Sequence, residues 1–188
     1  QLSEFATARG AEIGYENVFD FSLGNPSVPV PQEFTDRMIH MLATRSTQEL
    51  HGYSPSLGIT SVREAVAASL EKRFGIPYRA EHIFMASGAA GALAHAFRLV
   101  TEPGDEILTF APFFPEYHPY VDLTGAVLKV VPPDTDCFQI NFEAFEAMIT
   151  EKTMAILVNT PNNPSGVVYS TETLKKLAQV LTEKSQEY

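Results

Sequence analysis

The stretch Met154–Gly166, MAILVNTPNNPSG, decides how the chain is to be read. Its first five residues are an apolar run of strand length, and the eight that follow hold three asparagines, two prolines and a glycine. Proline fixes φ near about −65°, asparagine tolerates left-handed backbone and glycine tolerates positive φ, so one or two such residues suffice to reverse a chain. The surplus describes a rigid polar elbow at a strand end. Asparagine and proline also collect in ordinary turns, so the rest of the chain has to distinguish a site from a bend.

Working outward, short apolar runs alternate with amphipathic segments, the pattern of an α/β fold with a mainly parallel sheet. A helix is expected from Ser61, where Ser61 and Glu64 have capping-box spacing, with Val62, Ala65, Val66, Ser69, Leu70 and Phe74 on one face and Gly75 as its stop. Ile83–Ala86 reads as a strand, followed by a small-residue turn and a helix to about Val100. A strand ending at Ala111 leads into the aromatic loop PFFPEYHPY, and Ala126–Val131 is the next strand. Phe142, Phe145 and Ile149 mark a helix over it, and Leu174, Leu177, Ala178 and Leu181 mark one after the elbow. Ligands of open parallel sheets bind beyond the carboxyl ends of the strands, where SGAAG (87–91), PFFPEY (112–117) and NTPNNPSG (159–166) all fall.

Composition narrows the chemistry. With 188 residues, 45% of them hydrophobic and 11% aromatic, the chain can build a core. A net charge of −10, from 13 Lys+Arg against 23 Asp+Glu, opposes binding to nucleic acid or anionic membranes, whose surfaces are themselves negative. Small-molecule chemistry fits better. The single cysteine, Cys137, cannot form an intrachain disulfide, and no segment is long and apolar enough to span a bilayer, so a cytoplasmic protein is expected. A start at Gln1 and a stop just after a helical pattern are read as the marks of a fragment.

Each strand-end loop has a chemical reading beside a structural one. Ser87–Ala92, SGAAGA, lets backbone N–H groups approach an anion at a helix N-terminus, yet small residues also serve close helix–sheet packing. It matches neither GxGxxG nor a Walker loop. Phe113, Phe114 or Tyr117 offers a flat face for a planar ring, or plain loop packing. Tyr53, in HGYSPSLGITSVREAV, can donate to a phosphate or simply face solvent. Gly24, in FSLGNPSVPVP, lies in a segment too proline-rich for a central strand and suited to an arm over a site or a partner subunit.

Taken in this order and at these intervals, FSLGNPSVPVP, HGYSPSLGITSVREAVA, ASGAAGALAHAF, PGDEILTFAPFFPEY and NTPNNPSGVVYS resemble the class I/II aminotransferases, which use pyridoxal 5′-phosphate (PLP). The likeness runs from about Phe21 onward, and NNPSG after an apolar strand is its most specific element. It implies a three-layer α/β sandwich, the large domain of the PLP-dependent transferases, incomplete here. Residues 1–50 would form an N-terminal arm and the start of a small domain, and 51–188 the first half of the PLP-binding large domain, truncated before the Schiff-base lysine.

The resemblance also implies roles. Gly24 would offer a backbone N–H to the substrate carboxylate. Tyr53 would reach across a homodimer interface to the cofactor phosphate of the other subunit, the active sites being shared. Gly88, Ala89 and Ala90 would form the phosphate cup, Phe114 would stack on the pyridine ring, and Asn163 would donate its amide to the phenolic oxygen close to the substrate. The substrates implied are an L-amino acid, aspartate and aromatic side chains being the leading classes, and a 2-oxo acid.

Two departures stand out. Ala90 replaces the Thr, Ser or Lys that contacts phosphate in many relatives, leaving backbone donors only. Lys72, Lys129, Lys152, Lys175, Lys176 and Lys184 all fall where the family places no cofactor lysine and read as solvated, so no catalytic residue is expected in this chain; the lysine, its Asp and Tyr neighbours and the carboxylate-binding Arg are expected beyond Tyr188. Other PLP chemistry on the same fold, such as C–S β-lysis or formation of a cyclic amino acid as in 1-aminocyclopropane-1-carboxylate synthase, remains open. So does a non-catalytic α/β binding domain.

Overall fold

The computed structural model describes residues 2–19, 24 and 28–187, which fall into two units, 1–55 and 56–188. The first holds helices α1 (Leu2–Ile13), α2 (Gln32–Thr44) and α3 (Thr47–His51). None of these was anticipated from the sequence. α3 starts at a full capping box, the Ser46 hydroxyl accepting from the Glu49 N–H at 3.2 Å while the Glu49 carboxylate accepts from the Ser46 N–H at 3.0 Å.

The second unit runs α4 (Thr60–Phe74), α5 (Gly88–Val100), β1 (Glu106–Phe110), α6 (Tyr117–Asp122), β2 (Val127–Val131), α7 (Phe142–Met148), β3 (Thr153–Leu157) and α8 (Thr171–Glu187). The strands form one parallel sheet in the order β2-β1-β3. Leu108 of β1 sits opposite Lys129 of β2 and Ile156 of β3. As the central strand, β1 is covered on both faces, and Ile107 to Phe110 are all buried, which is why it reads as a continuous run rather than an alternating one.

Successive residues of β1 point to opposite faces. Leu108 and Phe110 join Val131, Phe145, Tyr169, Leu177 and Val180 beneath α7 and α8. Ile107 joins Phe97, Tyr117, Val121 and Leu128 beneath α5 and α6. The sheet therefore lies between two helical layers, the three-layer α/β arrangement expected.

Several local expectations are corrected. α4 begins at Thr60 with Ile59 as N-cap and no side-chain cap bond, so Ser61 is already inside the helix and the Ser61–Glu64 capping box does not form. Its buried position is Ala67, whereas Val62 and Phe74 are exposed; Gly75 does end it, at φ +69°. Ile83–Ala86 is not a strand: Ile83 is extended, but none of the three strands bonds to this segment, and an extended chain without a ladder is not sheet.

The aromatic loop is shorter than anticipated because Tyr117–Asp122 is helical. In α8 the buried stripe is Thr173, Leu177 and Val180, with Leu174 and Ala178 exposed, a face rotated by about one residue from the expected one. Lys129 is not a free solvated lysine. Its Nζ lies 2.7 Å from Glu106 Oε1, and the Thr150 hydroxyl donates to the other Glu106 oxygen at 2.7 Å.

Candidate functional site

The chain leaving β1 turns onto the face covered by α6, whereas the chain leaving β3 turns onto the opposite face, to α8. Because β1 and β3 are neighbours, these connections diverge beyond the strands' carboxyl ends. Such a topological switch point is where open parallel sheets bind ligands. The aromatic loop follows β1 on one side of it and the elbow follows β3 on the other.

In the elbow, the peptide between Asn162 and Val167 is closed by two main-chain bonds, Asn162 N–H to Val167 O at 2.9 Å and Gly166 N–H to Asn162 O at 2.8 Å. Gly166 has φ +73°, a conformation a side chain would strain. The stems are tied as well, Tyr169 N–H donating to the Thr160 hydroxyl at 2.9 Å. Asn162 is buried inside this turn, whereas Asn163 is exposed and its side chain has no hydrogen-bond partner among the described residues.

On the aromatic loop Phe114 is half-buried, with the Tyr117 ring edge-on to it at 5.7 Å and 76°. Phe113 stacks on the same tyrosine at 6.3 Å and 24°. Tyr117 is 7% exposed, and its phenol lies by the Asn159 side chain. Burial raises the phenol's pKa above its usual value while the Asn159 side chain opposes that rise. The ring thus brings the aromatic loop next to the start of the elbow. The sequence pointed to Tyr117 only as a stacking ring, and it singled out neither Asn159 nor Asn162. The Asn-x-x-Ser spacing of Asn162 and Ser165, an Asx-turn signal, was there to be read.

Gly88 opens α5 at φ +70°, with its N–H given to Ala86 O at 3.0 Å. Ser87 makes no side-chain cap bond, so the Ala89 and Ala90 amides have no capping acceptor, and Gly88 to Ala90 are exposed. These donors and the helix dipole suit an anion. α5 packs against α6, and Leu93 joins Phe113 and Phe114 around the same apolar cluster. The structure therefore places Phe114 and Asn163 on the loops that follow the neighbouring strands β1 and β3, and Gly88–Ala90 at the start of the helix that packs against α6.

Gly24 and Tyr53 belong to the first unit. Tyr53 is fully exposed, and Gly24 is exposed with open space where a Cβ would project. The flanking Phe21–Leu23 and Asn25–Ser27 lie outside the described residues. Among the other lysines, Lys176 Nζ sits 4.4 Å above the Phe142 ring and Lys184 pairs with Glu187 at 2.6 Å.

The residues present are of the kinds PLP would need: the uncapped first turn of α5 would offer donors to a phosphate, Phe114 would offer a flat apolar face to a planar ring, and the unpaired Asn163 amide would offer a donor to a phenolic oxygen.

Comparison with known proteins identifies the family. The family model described as aminotransferase class I and II matches residues 16–186. A probable aspartate/prephenate aminotransferase of Aquifex aeolicus is 33% identical over 181 residues, 95% of this chain and 45% of that protein. The aspartate aminotransferase of Thermotoga maritima is 30% identical over 171 residues, 90% of this chain and 44% of that protein. A crystal structure of an amino transferase from Eubacterium rectale superposes with TM-score 0.94 at 44% identity, covering 99% of this chain and 47% of that one. The chain thus spans about half the length of the relatives it matches. It belongs to the class I and II aminotransferase family.

Proposed function

We propose that the whole protein carrying this chain is a PLP-dependent aminotransferase that moves an amino group between an L-amino acid and a 2-oxo acid. The observation that carries this reading is the switch point between β1 and β3, with Phe114 on the loop after one strand and the unpaired Asn163 amide on the loop after the other. Aspartate is the first substrate to try, because the Aquifex and Thermotoga relatives are named for it.

The chain's residues bind and orient. The Ala89 and Ala90 N–H groups, with the α5 dipole, hold the phosphate; Gly88 lets the chain turn there without a side chain in the way. Phe114 supports the ring face, and the Asn163 amide donates to the phenolic oxygen. The bound cofactor supplies an electron-withdrawing ring that stabilises negative charge at the substrate α-carbon. Gly24 offers its N–H to the substrate carboxylate, and Tyr53 of the partner subunit completes the phosphate site in a homodimer. The amine that moves the α-proton is proposed to lie outside residues 1–188, in keeping with the pairing of Lys129 to Glu106 and of Lys184 to Glu187. A first unit of residues 1–50 serving as arm and small-domain start, and a PLP domain from residue 51, belong to the same reading. So does a cytoplasmic location, which suits the exposed free thiol of Cys137.

The test incubates the full-length protein loaded with PLP first with L-aspartate alone and then with 2-oxoglutarate. Stoichiometric release of oxaloacetate with conversion of the cofactor to its amine form in the first step, and its return with formation of glutamate in the second, is the expected result. Release of pyruvate and ammonia from an L-amino acid with a sulfur leaving group on Cβ, with no acceptor and no amine form of the cofactor, would assign the protein to lyase chemistry instead.

A further inference from the structure

The side chain on which the proposed function leans, Asn163, is held by nothing of its own. Its neighbour does the holding. Asn162 is 8% exposed, and its Oδ1 accepts two hydrogen bonds, from the Ser165 N–H at 3.1 Å and the Ser165 hydroxyl at 2.9 Å. The Ser165 Oγ in turn accepts from the Val167 N–H at 3.3 Å. With the two main-chain bonds of Asn162 to Val167 and Gly166, the residue fastens the turn from inside at both of its ends. Asn163 and Pro164 are the arc that these bonds close. The N–H donation to Oδ1 also settles the amide orientation, since only oxygen can accept there.

We propose that Asn162 is a positioning residue: its buried carboxamide locks the 162–167 turn so that the Asn163 amide is presented to the cofactor's phenolic oxygen. This rests on the PLP reading above. Replacing Asn162 by Ala removes the acceptor, leaves the Ser165 N–H and hydroxyl without their partner, and lets the arc carrying Asn163 relax. The role is indirect, so it must vanish when Asn163 has nothing to present.

The experiment uses the full-length protein loaded with PLP and follows the pH titration of the bound cofactor's visible absorbance in wild type, Asn163→Ala, Asn162→Ala and the double variant. Losing a donor to an ionised oxygen disfavours ionisation, so N163A is expected to move the midpoint upward by about one pH unit. N162A is expected to move it the same way by roughly half as much, and the double variant to match N163A alone, a non-additive cycle. If N163A leaves the midpoint unmoved, the cofactor reading itself fails. If N163A moves it and N162A does not, or if the two shifts add in full, the positioning role is overturned. Should N162A fail to fold, Ser165→Ala replaces it, because it removes one of the two bonds to Oδ1 and keeps the other. A smaller upward shift that disappears in the N163A background supports the proposal, and no shift overturns it.

Discussion

The two units differ in what their apolar residues achieve. In α2, Phe34, Met38 and Leu42 recur every fourth residue and form a stripe, yet all three are exposed, and no side chain of the described residues up to Pro55 is buried. In the second unit the same kind of residue builds two clusters on opposite faces of the sheet, one centred on Phe145, Leu108 and Val131, the other on Ile107 and Val121. Amphipathic spacing marks where a helix can form, but an interior needs a second apolar surface for that face to close on. The second unit brings that surface with it in the form of the sheet. Of the candidate site residues, Gly88–Ala90, Phe114 and Asn163 belong to the unit that has packed clusters, whereas Gly24 and Tyr53 belong to the first unit.

The largest test of this contrast compares two phenylalanines. Phe145, wholly buried between Phe110 and Phe142, should cost about 3–5 kcal/mol when changed to Ala, whereas Phe34→Ala, at a position 58% exposed, should stay within about 0.5 kcal/mol in urea unfolding of this chain. Equal losses would mean that the first unit has an interior after all.

A middle-sized effect is expected at Tyr117. Tyr117→Phe keeps the ring contacts with Phe113 and Phe114 and removes only the phenol oxygen beside Asn159, at a cost of about 1 kcal/mol measured by thermal unfolding. An unchanged midpoint would show that the phenol oxygen contributes nothing to holding the two loops.

Acid should sharpen the comparison further. Burial tends to raise the Glu106 pKa, but the Lys129 ammonium and the Thr150 hydroxyl outweigh it and hold the carboxyl below its ordinary 4.5. A carboxylate with a lowered folded-state pKa contributes stability that is fully present above its unfolded value and is lost as pH falls through the folded one. The second unit should therefore lose stability below about pH 4.5, and Glu106→Gln should flatten that part of the profile. The smallest effect is expected in the first unit, where the exposed Arg9–Glu12 pair at 2.7 Å should contribute less than about 0.5 kcal/mol on Arg9→Ala.

Much of the second unit was legible because its signals are local. β1, β2 and β3 are short apolar runs bounded by turn residues, and the elbow announces itself by composition. Ser61 misled because the spacing of a capping box is necessary but not sufficient: the Ile59 carbonyl already takes the first helical N–H groups, at 3.1 Å from both Val62 and Arg63. Ile83–Ala86 has strand-like composition, but sheet membership depends on a neighbour's backbone, which no local pattern encodes. The α8 stripe moved by a residue because Thr173 turns inward, its hydroxyl donating to Gln139 at 2.8 Å across 34 positions of chain. In the candidate site, Asn163 was visible by motif. Asn162 and Asn159 were not, since their importance lies in burial and in a partner on another loop.

The central claim, that the switch point between β1 and β3 holds PLP, is tested most directly by a crystal structure of the full-length protein with PLP bound. The account predicts the phosphate against the Ala89 and Ala90 amides at the start of α5, the ring against Phe114, and the Asn163 amide within hydrogen-bond reach of the phenolic oxygen. A cofactor bound elsewhere, or one whose phenolic oxygen lies out of reach of Asn163, would contradict it.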